Sequence, residues 1–488
     1  MNQNIFGKLK ELGYKTCPED FYRMIDLWKS WYDGDVKSFH HYTVYNGQKR
    51  LNCDRYGLGM AKKVCEDWAN LLMNERVKIT LEGENEQKFF DQVCKDNGFE
   101  VKANELEELT FFGGTTAIVV RAVDVPVNQE TGRLTGTGRL VLDYAYMPNI
   151  YPLTWENGKI KECAFATKKV DGDNEYMYVQ IHRLNDSNTY DIENHLFSVQ
   201  NDLISEVELS TSPDLANVAA RITTNETERM FVINRPNMVN NYDPSLPLGI
   251  SVFANAIPQL KGVDIAYDTY VSEMLLGKKR VIVKAEALQN LDGDPTFDPN
   301  DVVFYALPED SSSGGEATLI HELNMSLRTS ELNGALQDML NNLAAKCGFG
   351  ENHYKFNQGG IATATQIVSE NSTLFRTIKK HEIILRDVLT EFTRIVLRMG
   401  NLYCGQKLNT DVEISIDFDD SIIEDKQSEF NRDMELLSSG IMQRYEIRMK
   451  YLNESEETAK AALPDMEEMV NDGTENNPPP TFQRNEAV

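Results

Sequence analysis

The sequence is short of positive charge. Its 488 residues hold 49 Lys and Arg against 76 Asp and Glu, a formal net charge of -27, with a pI near 4.7. Tight phosphate binding rests on clustered Lys and Arg, so a protein that grips nucleic acid by general charge attraction is excluded. Contact with DNA is not excluded; it would be slippery. The seven cysteines (Cys17, Cys53, Cys65, Cys94, Cys163, Cys347, Cys404) are scattered and form no C-x-x-C. Neither a disulfide framework nor a zinc knuckle is indicated, and reduced thiols in a cytosol fit the pattern. No apolar run reaches about 18 residues, so no membrane span is expected. The start "MNQNIFGKLKELGYK" lacks the apolar core of a secretion signal.

Catalytic signatures are missing as well. "KKHEIIL" contains His381-Glu382, but a zincin needs a second His four residues after the first, and position 385 is Leu. Glu382 is instead placed to pair with Arg386 one turn on. "GFGENHYKFNQGG" lacks the G-K-[ST] of a phosphate loop, and Gly113-Gly114 lacks dinucleotide-binding spacing and reads as a helix-to-strand turn. No Ser, Cys or Thr has a recognisable base motif around it. The densest acidic cluster is Asp417, Asp419, Asp420, Glu424 and Asp425. A two-metal nuclease would use convergent carboxylates, yet acids at a helix start are favoured by the helix dipole alone. An enzyme is not expected, nor a cofactor or bound metal.

What is present is a long, ordered series of elements of the α+β class. Length alone allows roughly three domains. Residues 1–110 read as mainly helical, with Phe21, Met24, Ile25, Leu27, Trp28 and Trp31 at helical spacing after Pro18. "GGTTAIVVRAV" opens a strand-rich region to about residue 233, with turn signals at Asn157-Gly158, Asp171-Gly172-Asp173 and Asn185-Asp186. In "EYMYVQIHR", Met177, Val179 and Ile181 alternate with Tyr178, Gln180 and His182, as in a half-exposed antiparallel strand. "NRPNMVNNYDPSLPLGISVF" is a Pro- and Asn-rich connector.

Ala256, Leu260, Val263, Tyr267, Tyr270 and Met274 then form a heptad-like seam, spaced for a helix that packs along much of its length. Pro258 requires that helix either to start there or to kink. "KKRVIVK" and "VVFYAL" are short strands within a small β-insert over 277–325. A second helix over about 327–347 carries Leu332, Leu336, Met339, Leu343 and Cys347 on one face, so the insert caps the far end of a helical hairpin. A longer helix runs on from Thr363-x-x-Gln366, which fits a capping box, with no Gly or Pro from Ile361 to Met399. Its buried stripe is Leu374, Ile378, Leu385, Val388, Phe392, Ile395 and Met399; 36 residues would span about 54 Å. "DVEISIDFDD" reads as a strand. An acidic helical region capped by Ser421 and Glu424 follows, and the composition from about 471 reads as disordered.

Between the second and third helices stands "CGFGENHYKFNQGGIATATQIVSENS". A helix–helix connection usually takes about 2–8 residues; this one spends about thirteen, four of them glycine. Loops of that kind are functional or disordered.

Two blocks, "PLGISVFANAIPQLKGVDIAYDTYVSEMLLGKKRVIV" and "AAKCGFGENHYKFNQGGIATATQIVSENSTLFRTIKKHE", resemble the portal proteins of long-tailed bacteriophages, as does their spacing across the β-insert. With "IDFDDSIIEDKQSE" the resemblance covers most of 230–430 closely and the whole chain by layout. It implies a ring, usually of twelve subunits, at one capsid vertex. Double-stranded DNA is pumped through it by the terminase without sequence readout and later leaves into the tail. The implied partners are further copies of the chain, terminase, a head–tail adaptor, and the major capsid and scaffolding proteins, with no membrane. The implied location is the virion, after assembly in the host bacterial cytoplasm.

By position, the resemblance implies a wing over 1–250, completed by a helix and strand over 363–420. It implies stem helices over 251–276 and 326–347, a clip over 277–325, a crown over 421–470 and a disordered tail over 471–488. Residues 348–362 become a tunnel loop projecting into the channel. Its members are Gly348, Phe349, Gly350, Glu351, Asn352, His353, Tyr354, Lys355, Phe356, Asn357, Gln358, Gly359 and Gly360, with His353, Tyr354, Lys355 and Phe356 at the tip. Lys278, Lys279 and Arg280 would mark the stem–clip junction, where cations neutralise a helix C-terminus. A tail or baseplate protein, or a metal-dependent nuclease using the 417–425 acids, are the alternatives.

Overall fold

The computed structural model describes residues 2–74, 77–125, 137–200, 203–224, 226–277, 280–284, 303–307, 320–323, 326–350, 353–355, 364–418, 426–452 and 456–462. Contacts divide the chain into two units, Met1–Phe418 and Asp419–Val488. The larger unit begins with α1 (Asn2–Glu11), α2 (Glu19–Tyr32) and α3 (Lys37–His40), then a hairpin of β1 (His41–Tyr45) and β2 (Arg50–Asp54). There follow α4 (Met60–Leu72), β3 (Lys78–Leu81), α5 (Glu84–Asp96) and α6 (Phe99–Gly113). The β1–β2 hairpin interrupts the region expected to be helical. Its signal is Asn46-Gly47, a hairpin turn pair: Gly47 has φ 94°, and Asn46 Oδ1 accepts from the Gln48 and Lys49 amides.

The strand-rich region holds β4 (Thr116–Val123), β5 (Arg139–Tyr146), β6 (Ile150–Glu156), β7 (Lys159–Asp171), β8 (Asn174–Leu184), β9 (Tyr190–Gln200), β10 (Leu203–Val207), β11 (Arg221–Thr223) and β12 (Phe231–Asn234). One antiparallel sheet runs β10-β9-β8-β7-β6 with β11 also on β9; another runs β12-β4-β5. The turn signals hold: Asn157 and Gly158 both have positive φ, as does Gly172. The half-exposed reading of β8 does not hold, because Tyr176 to His182 are all buried. Tyr176 and Tyr178 pack with Leu196 and Leu215 under Val207, Leu209 and Val218, so the segment after β9 covers the second face. Gln180 Oε1 and His182 Nε2 meet there at 3.3 Å.

Between α6 and β4, Gly114 (φ 78°) turns the chain, and a Cβ on it would lie 2.5 Å from the Gly249 carbonyl. The converse contact is 2.1 Å. The two backbones touch only because neither residue has a side chain, and this holds the connector before the next helix against the sheet.

That helix, α7 (Ile257–Leu276), settles the question of Pro258, which stands in its first turn where proline is tolerated. The helix therefore starts six residues later than the 251 expected. A three-stranded sheet of β13 (Arg280–Lys284), β14 (Val303–Leu307) and β15 (Ile320–Leu323) separates it from α8 (Thr329–Lys346). β13 pairs in parallel with β14 and antiparallel with β15. At the far end of the helical pair, Arg328 bonds Glu273 at 2.8 Å. The heptad seam is buried at Ala256, Leu260 and Val263; its outer half, from Tyr267, is partly or fully exposed. On α8 the buried face is Leu336, Leu340, Leu343 and Cys347, and Met339, expected inside, is 37% exposed.

α9 (Ala364–Tyr403) is 40 residues long, about 60 Å at the helical rise. Leu374, Ile378, Leu385, Val388, Phe392, Ile395 and Met399 are all buried, and Leu389, Val396 and Leu397 extend the stripe around the helix. Glu382 pairs with Lys379 at 3.1 Å rather than with Arg386, whose guanidinium lies over Phe418. After α9, β16 (Ile414–Asp417) pairs antiparallel with β3, returning the chain to its N-terminal helices. The smaller unit contains α10 (Lys426–Ser438), α11 (Arg444–Leu452) and α12 (Glu456–Ala461). Within it, Asp433 is buried and accepts from Lys450 and Tyr451. The caps expected at Thr363, Ser421 and Glu424, and the segment from 471, lie outside the described residues.

A buried acid sits where α6, β12 and α9 meet. Glu107 accepts from Asn234 at 2.6 Å beside a cavity of about 20 Å³ lined by Met73, Leu106, Ile118, Val232, Leu385 and Val388 among others. Burial pushes its carboxyl up to about 7, against the pull of the Asn234 bond. The folded state thus holds the proton more tightly than the unfolded chain. Stability from this group is full below about pH 4.5 and is lost as pH rises through 7, by up to about 3 kcal/mol. Glu107→Gln is expected to remove that slope and to raise stability at pH 8. Urea titrations of both proteins at pH 5 and pH 8 check this; an unchanged slope in the variant would assign it to other groups.

Candidate channel loop and its anchor

The loop after α8 starts from a helix stop. Gly348 has φ 90°, the left-handed conformation that ends helices, and the Phe349 amide returns to the Ala344 carbonyl at 2.9 Å. A Cβ on Gly348 would also press on Thr377 at 3.1 Å and on Trp68 at 3.3 Å. Phe349 is then driven inward and is 1% exposed.

The residues around it form a stack of rings. Phe111 of α6 lies on Trp68 of α4 (5.5 Å, 17°), Trp68 on Phe349 (4.8 Å, 25°), and Phe349 on His353 (4.3 Å, 11°). His381 of α9 meets both Trp68 and Phe111 edge-on, and Tyr354 closes over Phe349 at 5.7 Å. Such pairs add about 0.5–1.5 kcal/mol each beyond area burial. Hydrogen bonds fix the stack at both ends of the loop segment. Trp68 Nε1 donates to the Cys347 carbonyl at 3.1 Å, and Gln337 Nε2 donates to the Tyr354 carbonyl at 3.0 Å.

One carboxylate serves this anchor. Asp67, beside Trp68, takes a 2.6 Å ion pair from Lys63 and faces His353 at 3.7 Å. Burial pushes its carboxyl up, but the hydrogen-bonded Lys63 and the nearby His353 and Tyr354 outweigh it and hold the group below the usual range. Burial raises the Tyr354 phenol, with the Asp67 charge adding to the effect. Burial, helped by Lys380, lowers His381 to about 3, so its ring is neutral, and its Nδ1 accepts from the Asn237 amide at 3.1 Å. A neutral ring held among aromatics is a packing element, and the zincin reading of His381-Glu382 has no support in it.

Sequence reading sets His353 and Tyr354 at a projecting tip. Here both rings pack back on Phe349, His353 remaining exposed on its outer side, and Lys355 follows as a second exposed residue. Glu351, Asn352, Phe356, Asn357, Gln358, Gly359 and Gly360 lie outside the described residues. So do Lys278 and Lys279; Arg280 begins β13. Of the acids suggested for a metal, Asp417 is on β16 and the rest lie outside the described residues. Among the described residues no group of three or more His, Cys, Asp or Glu is placed to hold a metal ion. Nor is any helix there long and apolar enough to cross a membrane. The anchor residues Asp67, Trp68, Phe111 and Gln337 are not found by sequence reasoning. Trp68 offers one clue, a large ring on the buried face of an amphipathic helix, but nothing names its partner.

Comparison with known proteins gives a family. The family model described as "Phage portal protein, SPP1 Gp6-like" matches residues 14–472. No curated protein matches significantly. Among solved structures, a chain from the virion of a native gene transfer agent particle superimposes with a TM-score of 0.38 and 11% identity, over 80% of this chain and 88% of that one. A chain from the neck of a native gene transfer agent particle, computed with C12 symmetry, does so at 0.38 and 12%, with the same coverage. The family match spans nearly the whole chain, and the chain belongs to the SPP1 Gp6-like family of phage portal proteins.

Proposed function

We propose that copies of this chain close into a ring, usually of twelve in the family, that serves as the conduit for double-stranded DNA at a capsid vertex. The terminase drives DNA in, and a head–tail adaptor docks afterwards. In this reading α7 and α8 are the stem and the β13–β15 sheet is the clip that meets both partners. The helices and sheets of Met1–Phe418 outside these form the wing, and α10 to α12 belong to the crown. The role is structural, carried out in the virion after assembly in the host cytoplasm.

The observation that carries the reading is the order of parts: helix, β-insert, helix, glycine-rich loop, then a 40-residue helix. A net charge of -27 suits a conduit, because an acidic wall repels phosphate and keeps DNA centred. Packing of His353 and Tyr354 on Phe349 favours Lys355, with Phe356 after it, as the loop's contact with DNA. Purified protein imaged by negative stain is expected to show closed rings with a central opening. A single monomer boundary in sedimentation at micromolar protein would count against the ring.

A further inference from the structure

The β1–β2 hairpin carries a row of exposed apolar side chains on one face. Its register pairs Tyr42 with Cys53 and Val44 with Leu51, which puts these four on one face. The other face is mostly polar: His41 bonds Asp54 at 2.7 Å and Asp35 at 2.8 Å, Thr43 faces Asn52, and Tyr45 faces Arg50 near the turn. Yet Tyr42, Val44 and Leu51 are 36%, 43% and 37% exposed. An isolated two-stranded hairpin is marginal in water, and an exposed apolar one invites pairing.

Its root is firm. His40 Nε2 meets Asp264 Oδ2 of α7 at 3.1 Å, the Leu58 amide donates to the same carboxylate at 2.8 Å, and the Tyr56 amide donates to Asp268 at 3.0 Å. Arg55 lies over both Phe39 and Tyr42. The hairpin therefore leaves the molecule from the middle of α7 as a fixed arm. Each five-residue strand reaches about 17 Å, against the 8–10 Å between packed helices.

The same chain shows a second uncovered apolar surface. On the α7–α8 pair, Ile265, Met274, Leu275, Leu276, Leu327 and Met339 are 37–63% exposed with the chain's own hairpin in place. Glu331 and Asp338 are exposed on α8 beside them. From Asp35 to Arg55 the arm and its base carry Lys37, Lys49, Arg50 and Arg55 against Asp35 and Asp54, so the arm is net basic and the receiving helices are acidic.

We propose that the β1–β2 arm of one subunit docks, by its Tyr42–Val44–Leu51–Cys53 face, on the exposed α7–α8 surface of a second copy. A head-to-tail contact covers two different patches at once, and repeated with closure it generates a ring. The inference rests on the ring reading and adds to it which surfaces meet.

Cys53 is a native reporter, since it stands on the docking face and is a free thiol. In assembled wild-type protein its alkylation by a maleimide, read by peptide mapping, is expected to be slower than in dilute protomers by about tenfold or more. Val44→Ser with Leu51→Ser should raise the concentration for half-assembly by at least about tenfold. Thr43→Ala with Asn52→Ala, on the polar face, should leave it unchanged. Thermal melting of the dilute protomers controls for folding. Rings in which Cys53 stays fully reactive, or which form unaltered with Val44→Ser and Leu51→Ser, overturn this inference and leave the ring reading standing. Wild-type protein that never assembles overturns both.

Discussion

Replacing Phe349 with alanine is expected to cost Met1–Phe418 about 3–5 kcal/mol. The ring is 1% exposed and is sandwiched between Trp68 at 4.8 Å and His353 at 4.3 Å. The rings around the resulting cavity are Trp68 of α4 and the loop's own His353 and Tyr354; the loop side can follow inward, so the cost falls toward the lower part of the range. Phe349→Leu keeps much of the volume and forfeits mainly the stacking, so roughly 1–2 kcal/mol is expected. Urea unfolding with an unchanged m-value measures both. Trypsin cleavage after Lys355 should also quicken in the alanine variant, because the segment before it has lost its seat. A loss under about 1 kcal/mol would mean that the ring is not buried as described.

The consequence is for the loop. A channel loop that must move needs a part that does not, or its motion would pull on the stem. In the proposed reading the chain supplies that part by packing Phe349, His353 and Tyr354 against Trp68 and Asp67 of α4 and pinning the backbone at Cys347 and Tyr354. Asp67 adds charge to this anchor, with Lys63 and His353 as its partners.

The order of elements is legible in the sequence because local signals mark each boundary. Pro258 allows either a helix start or a kink and so marks that boundary, Gly348 ends a helix, and no breaker stands between Ile361 and Met399. The anchor is not legible, because Trp68 and Cys347 are 279 positions apart and no local pattern pairs them. In the sequence His353 and Tyr354 are two polar aromatics in a glycine-rich loop, which reads as a tip. Only Phe349, turned inward by the Gly348 cap, gives them something to lie on. The strand β8 misleads for a similar reason: alternation reports which residues share a face, and the covering layer comes from residues after β9. The amphipathic arm reverses the lesson, since Asn46-Gly47 with alternating Tyr42 and Val44 does signal a hairpin within a mostly helical region.

Excising 356–360 in favour of a short Gly-Ser link, with 348–355 kept, is expected to leave rings intact while lowering DNA content per capsid severalfold. The choice of cut follows from the anchor. Removing 350–358 as a block would take away His353 and Tyr354, expose Phe349 and confound folding with function. Sparing them confines the change to whatever lies beyond Lys355. Lys355→Glu should act in the same direction and more mildly, because one phosphate contact is small beside the motor's work and is screened by salt. Both effects belong to movement or retention of DNA, not to the driving energy, which in the proposed reading the terminase supplies. The measurements are packaged length per capsid and ring formation by electron microscopy in the same preparations. If the excised protein packages and retains DNA like wild type, the stretch beyond Lys355 is a linker between α8 and α9 and the contact with DNA lies elsewhere.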